Sequence, residues 1–128
     1  MLLRTLPADR VVLAQRMALG PHTVVVALCA QWCTTCREFR AALERVAAAR
    51  PAVSVVWVDI EDDADLLGDL DLETFPTLDV FVNADLRHFG AVLPQASLVE
   101  RLIADAATLR ARDAPGAIAD LVRTLVRV

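Results

Sequence analysis

The strongest constraint on the fold is a pair of short apolar segments that enclose an amphipathic segment. The segments "HTVVVALCA" (22–30) and "AVSVVWVDI" (52–60) are continuous and rich in β-branched residues, which is typical of strands buried on both faces of a sheet. Between them, residues 33–50 carry apolar side chains at helical spacing with charged side chains opposite, and Pro51 follows. Strand, helix and strand in this order predict a right-handed βαβ unit.

Further elements are predicted on both sides of this unit. Ser97 and Glu100 form a capping box, which predicts a helix of about three to four turns starting there. Pro115 stands at the first position of a predicted terminal helix with an apolar stripe. The other predicted elements are a short strand at 2–6, a helix at 8–19, a short acidic helix in 61–72, and hairpin strands at 77–83 and 86–92 joined by Ala84 and Asp85.

The order of these elements predicts an α/β fold in a chain of single-domain length, 128 residues. We assign residues 1–112 to the domain and residues 113–128 to a C-terminal helical extension of the same domain. The helix at 115–127 is expected to dock on its own domain. The alternative is that its apolar stripe forms a dimer or partner contact.

Composition excludes several classes of function. The net charge is −4 and the 13 basic residues are all arginines without a cluster, so we expect no nucleic-acid partner. Without lysine, Schiff-base chemistry on a lysine side chain is excluded. The longest apolar run, 24–30, is far too short to span a bilayer, and the start lacks a signal-peptide pattern. We therefore expect a cytoplasmic protein with no membrane contact.

Two cysteines three residues apart occupy the predicted strand-to-helix corner. Cys33 would lie at the positive end of the helix dipole, where a thiolate is stabilised. Cys36 would lie on the same helix face, within reach to close a disulfide. Cys33 is therefore the candidate nucleophile and Cys36 the candidate resolving thiol.

A metal site would need four ligands, and beyond this pair the chain adds only Cys29 and two histidines, so we predict no metal. Cys29 is expected to be a buried filler or a redox-sensitive third thiol.

Two segments carry a resemblance to a known family. "ALCAQWCTTCREF" (27–39) resembles the active-site segment of thioredoxins, and "TFPTLDVFVN" (74–83) resembles their cis-proline loop. The resemblance covers about residues 1–110 and implies a thioredoxin-like three-layer α/β/α fold with a central mixed sheet. It also implies a cis peptide bond before Pro76, facing Cys33, and an apolar substrate patch. The residues of that patch would be Trp32, Phe75, Pro76, Gly90 and Ala91.

The same resemblance implies a thiol-disulfide oxidoreductase that reduces protein disulfides through Cys33 and Cys36. Electrons would come from a thioredoxin reductase or another dithiol donor, with no bound cofactor beyond the redox-active disulfide. The sequence departs from the family at Ala27, where a buried acid is usual, and at Trp57, where a lysine is usual. Asp59 is the residue that could substitute for the acid. These departures keep open an alternative, a binding or assembly module on the same fold with slow or incidental redox turnover.

Overall fold

The computed structural model describes residues 2–30, 32–68 and 76–127 and builds them around a five-stranded mixed sheet. The spatial strand order is β1-β3-β2-β4-β5. The strands are β1 (Leu2–Leu3), β2 (Thr23–Cys29), β3 (Val53–Asp59), β4 (Thr77–Val82) and β5 (Asp85–Ala91). The helices are α1 (Pro7–Ala18), α2 (Thr34–Ala49), α3 (Ala64–Leu67), α4 (Ala96–Ala106), α5 (Gly116–Ala119) and α6 (Leu121–Leu125).

The predicted βαβ unit forms the centre of the sheet. β2 and β3 pair in parallel with Val25 opposite Val55, and α2 connects them. β4 returns antiparallel to β2 and continues into the β4–β5 hairpin. β2 is therefore enclosed by strands on both sides and by helices on both faces, which explains its continuous apolar sequence.

The helices form two layers, one on each face of the sheet. The side chains of α2 and α4 share one apolar cluster with Val25, Ala27 and Cys29 of β2. The alternate residues of β2 share the second cluster with side chains of α1, α3, α5 and α6. The three-layer α/β/α fold with a central mixed sheet is thus confirmed. No helix in the described ranges is both long and apolar enough to cross a membrane.

The hairpin turn lies one residue earlier than predicted. Asn83 and Ala84 connect the strands, while Asp85 already belongs to β5. Asn83 has φ 58°, a left-handed conformation that asparagine tolerates better than most residues. Its side-chain oxygen accepts the backbone N–H of His22 at 2.8 Å. The turn is therefore set by Asn83, which the sequence analysis had assigned to the preceding strand.

The predicted start of α4 was also displaced. The helix begins at Ala96 with Gln95 as its N-cap, and no side chain caps it. The Gln95 carbonyl already accepts the backbone N–H groups of Leu98 and Val99, so Ser97 lies inside the first turn. Ser97 and Glu100 consequently form no capping box.

The C-terminal segment differs from the single helix that was predicted. It consists of two short helices that break at Asp120, and Pro115 is the N-cap of the first helix instead of its first residue. The segment docks on its own domain, because four apolar side chains of the predicted stripe are fully buried and the fifth, Val126, is half-buried; the four are Ile118, Leu121, Val122 and Leu125.

One arginine ties this segment to the beginning of the chain. Arg10 of α1 donates hydrogen bonds from Nε to the carbonyl oxygen of Leu125 at 2.9 Å and from Nη2 to that of Thr124 at 2.8 Å. These carbonyls lie in the last turn of α6, and that of Thr124 also accepts the N–H of Arg127 at 3.3 Å. A cation at this end also complements the helix dipole.

The carboxyl group of Asp79 is buried in the second apolar cluster, and none of the described residues pairs with it. Asp79 of β4 is 0% exposed, and within the described part of the chain neither of its carboxylate oxygens has a hydrogen-bond partner. It lies opposite Val26, so it faces the α1, α3, α5 and α6 side of the sheet. Burial raises the pKa of this carboxyl well above its usual range.

Candidate active site

Cys33 and Cys36 lie at the junction between β2 and α2. Cys33 is the N-cap of α2, with extended backbone at φ −83° and ψ 115°. Its N–H donates to the Ala30 carbonyl at 3.1 Å, and its own carbonyl accepts the N–H of Arg37 at 3.2 Å. The turn holds Cys33 half-buried at the helix N-terminus, while Cys36 is 0% exposed one turn further on.

A third thiol completes a chain of sulfur atoms. All three cysteines are free, and the Cys36 thiol lies between those of Cys29 and Cys33. Burial raises the pKa of Cys36, while hydrogen bonds from Cys29 and from the Ala30 backbone oppose the rise. Burial is also the main cause that raises the pKa of Cys29, followed by its contact with Cys36. The half-buried Cys33 thiol is thus accompanied by two buried thiols, those of Cys36 and Cys29.

Sequence analysis placed Cys29 in the core but missed its contact with Cys36. The signal was present in the alternation of β2, because Ala27 and Cys29 share the face on which α2 packs. Cys29 is 0% exposed and is therefore buried as predicted.

Asp59 ends β3 directly beside Cys29, with which it pairs in register. Its carboxylate is 3% exposed, and Oδ1 accepts the backbone N–H groups of Glu61 at 2.9 Å and Asp62 at 3.0 Å. Oδ2 is buried and has no partner among the described residues. Asp59 thus caps the turn after β3 and adds its charge to the causes that raise the Cys29 pKa.

Three predicted substrate-contact residues lie at the end of the sheet where β2 ends and the turn to Cys33 begins: Pro76, Gly90 and Ala91. Because β2 and β4 are antiparallel, the end of β2 lies beside the start of β4, with Leu28 opposite Thr77. The end of β5 lies on the other side, and the Val92 N–H donates to the Pro76 carbonyl at 3.2 Å. Pro76 is buried, Gly90 is half-buried and Ala91 is exposed. Phe75, and with it the predicted cis peptide bond, lies outside the described residues.

Trp32 stands immediately before the nucleophile and is 62% exposed. Its indole Nε1–H donates a hydrogen bond to Glu61 Oε1 in the acidic turn after β3. The ring is therefore held on the surface, next in sequence to Cys33.

The positions that depart from the family pattern lie together in the core. Ala27 and Trp57 are register partners on β2 and β3, on the face that packs against α2. Trp57 is 4% exposed, and the Arg40 guanidinium lies 5.8 Å from its ring centroid. An indole with a cation on its face thus occupies the space beneath the cysteines.

Comparison with known proteins identifies the architecture. The sequence profile of the family described as Thioredoxin matches residues 13–104, from α1 to α4. The chain belongs to the thioredoxin family. This membership supports a thiol-disulfide oxidoreductase type of function in general.

Solved structures of thioredoxins show the same fold at low sequence identity. The thioredoxin of Fasciola hepatica is 20% identical, with TM-score 0.65, and the match covers 82% of this chain and 97% of that one. The germline-specific thioredoxin Deadhead of Drosophila melanogaster is 16% identical, with TM-score 0.65 and coverages of 82% and 98%. A thioredoxin of Nicotiana alata is 15% identical, with TM-score 0.66 and coverages of 82% and 91%. A search of curated proteins gave no significant match.

Proposed function

We propose that this thioredoxin-family member is a thiol-disulfide oxidoreductase that reduces protein disulfides through Cys33 and Cys36. The observation that carries the proposal is the pairing of a half-buried thiol at the N-cap of α2 with a fully buried thiol one turn behind it. A nucleophile must be accessible, and a resolving thiol must be shielded from the substrate disulfide until the first exchange has occurred.

The reaction proceeds by two exchanges of thiolate and disulfide. The Cys33 thiolate attacks one sulfur of the substrate disulfide and releases the other as a thiolate, which leaves a mixed disulfide on Cys33. Cys36 then loses its proton and attacks Cys33 Sγ, so that the Cys33–Cys36 disulfide forms and the second substrate thiol departs. Two electrons pass from the protein to its substrate. A thioredoxin reductase or another dithiol donor in a reducing compartment, such as the cytoplasm, would reduce the pair again.

Substrate would dock at the sheet edge that holds Pro76, Gly90 and Ala91, with Trp32 on the other side of Cys33. Backbone groups next to Pro76 would pair with an extended substrate segment, as in other strand-addition interfaces. Phe75 is assigned to the same surface from its place in the sequence. No cofactor is required, since the cysteine pair itself carries the electrons.

The proposal is tested by replacing each cysteine with serine. We expect the wild type to reduce insulin disulfides with dithiothreitol as electron donor and Cys33→Ser to lose this activity. Cys36→Ser should accumulate mixed disulfides, because the first exchange takes place and the second cannot. Mass spectrometry under non-reducing conditions identifies these adducts, and the double variant is the control that should form none.

Full activity in the Cys33→Ser protein would overturn the proposal. A wild type that reduces no disulfide, with Cys33 and Cys36 both intact, would favour the alternative of a binding or assembly module.

A further inference from the structure

A cleft of about 450 Å³ lies between the end of β1 and the first half of α2, the helix that begins after Cys33. Three guanidinium-bearing side chains and one indole line it: Arg4, Arg37, Arg40 and Trp57. Its volume falls in the range of about 300–1,000 Å³ that is typical of small-molecule sites. Among the described residues, no acidic side chain lines this cleft.

The positive charges of the cleft are only partly compensated. Arg40 has an ion pair with Glu44 at 3.4 Å, in which both side chains are substantially exposed, and Arg37 donates only to the hydroxyl of Thr34 at 3.3 Å. The Arg4 guanidinium has no hydrogen bond or ion pair with any described residue. Arg4 also borders a second cleft, which contains Asp59, Asp62 and Asp63. The net positive field therefore rests mainly on Arg37 and Arg40.

The position of these two arginines links the cleft to the nucleophile. Cys33, Arg37 and Arg40 follow one another at i, i+4 and i+7, so they lie along one face of α2. The Arg37 side chain extends back toward the helix N-terminus, since its Nη2 reaches Thr34, the residue after Cys33. A group bound between Arg37 and Arg40 would therefore lie next to a disulfide under attack by Cys33.

We propose that this cleft binds an anionic group, carboxylate or phosphate, that flanks the disulfide of the substrate. This inference rests on the proposed function and names the substrate class: disulfides with negative charge next to the sulfur atoms. In a protein with net charge −4, a local basic cleft attracts such substrates and orients them toward Cys33. Guanidinium groups suit this role because they bind carboxylate and phosphate through two parallel hydrogen bonds.

The exchange itself remains that of the proposed function, and the arginines take no part in bond making. Cys33 and Cys36 lose two electrons and become a disulfide, while the anionic disulfide gains two electrons and two protons and becomes two thiols. Arg37 and Arg40 contribute positioning and attraction, which appear in kcat/KM.

The test uses three small disulfides of similar size and different charge. They are 3,3′-dithiodipropionate (negative), bis(2-hydroxyethyl) disulfide (neutral) and cystamine (positive). The measured quantity is the ratio of kcat/KM for dithiodipropionate to that for cystamine, with dithiothreitol as electron donor. The double variant Arg37→Gln, Arg40→Gln should lower this ratio by about threefold or more, given about 0.2–1 kcal/mol per exposed ion pair. The effect should weaken as salt is added.

The matched control removes the same charge elsewhere. Arg45 and Arg101 are exposed residues of α2 and α4 that do not line the cleft. The double variant Arg45→Gln, Arg101→Gln should therefore keep the ratio within about twofold of wild type, since distant exposed charges are screened. Arg40→Lys in the Arg37→Gln background keeps one cleft charge and should recover part of the preference, which a packing defect at Trp57 would not do.

Equal ratios in wild type, cleft variant and control would overturn the inference while leaving the proposed function intact. Failure of the wild type to reduce insulin as well as all three small disulfides would overturn the proposed function and, with it, this inference; failure with the small disulfides alone would overturn only this inference. A second arm compares disulfide-linked peptides in which Glu or Gln flanks a single Cys. If the Glu peptides are preferred and the preference depends on the arginines, the anionic group belongs to a protein substrate. If the preference is confined to dithiodipropionate, the anionic group belongs to a small molecule. Either result supports anion binding in the cleft.

Discussion

At the scale of single residues, the least expected feature is the surrounding of the resolving thiol. Cys36 is buried among apolar side chains, and the carboxylate of Asp59 lies beside Cys29 and also caps a backbone turn. The groups that favour the Cys36 thiolate are instead the Cys29 thiol and the Ala30 backbone N–H. Position 27 carries alanine instead of the usual acid, and the thiol at position 29 is the side chain that favours the Cys36 thiolate.

Replacement of Cys29 by alanine should slow the second exchange. The Cys36 thiolate loses a hydrogen bond, so the pKa of Cys36 rises further and less thiolate is present at pH 7. We expect the release of the second thiol from a chromogenic aromatic disulfide to be about two- to fivefold slower at pH 7, with its pH midpoint shifted upward. Single-turnover kinetics between pH 6 and 9 measure this. The Cys29→Ser variant retains a hydrogen-bond donor, so its rate should lie between those of wild type and Cys29→Ala. A pH–rate profile of Cys29→Ala identical to that of wild type would contradict the role assigned to Cys29.

At the scale of secondary-structure elements, α5 and α6 belong to the core. They cover the sheet face formed by alternate residues of β2, and a hydrogen bond from Arg10 of α1 joins that helix to the end of α6. The apolar stripe that was predicted from the sequence thus packs inside the domain. A helix that covers a sheet face stabilises the domain through the apolar area that it removes from water.

The substitution Leu121→Ala should therefore lower the free energy of unfolding substantially. Leu121 is 0% exposed, and truncation of a buried leucine usually costs about 2–5 kcal/mol because a cavity remains. Arg123→Ala in the same helix removes only exposed ion pairs with Asp85 and Asp120 and should cost about 0–1 kcal/mol. Urea denaturation compares the two variants. Equal small effects would mean that α6 is not part of the cooperative core.

At the scale of the whole molecule, Asp79 makes stability depend on pH. Its pKa is raised in the folded state, so the native protein holds the proton more tightly than the unfolded chain does. Below about pH 4 the carboxyl is protonated in both states and this penalty is absent. As the pH rises from there through the native pKa, the unfolded state ionises first and becomes favoured. The contribution of Asp79 to stability is therefore lost as the pH rises.

The variant Asp79→Leu should be more stable than wild type at pH 7, by about 1–3 kcal/mol, since it removes a buried polar group without hydrogen bonds. The difference should shrink toward pH 4. Asp79→Asn should remove the pH dependence but recover less stability, because the amide is still unpaired. Urea denaturation from pH 4 to 8 measures both, with Asp113→Asn, an exposed loop residue, as control. A Leu variant with the pH dependence of wild type would exclude Asp79 as its origin.

The sequence predicted the elements whose cause is local and missed features that depend on tertiary contacts. The β-branched runs of β2 and β3, the amphipathic α2 and the corner with Cys33 and Cys36 were found because periodicity and spacing determine them. The contact of Cys29 with Cys36, the burial of Asp79 and the cleft between Arg4 and α2 bring together residues from different elements. The break at Asp120 has no local signal such as glycine or proline. Trp32, Phe75, Pro76, Gly90 and Ala91 stay predictions as substrate contacts.

The bond from Arg10 to the Leu125 carbonyl joins positions 115 residues apart, and it has a consequence for how the chain is made. During synthesis from the N-terminus, α1 and the strands emerge long before the segment that covers their second face. Until residues 118–125 leave the ribosome, Leu3, Leu13 and Val24 lack the part of their packing that this segment provides. The nascent chain therefore exposes part of this apolar surface until the α5–α6 segment has emerged, and such transiently exposed surfaces are prone to aggregation.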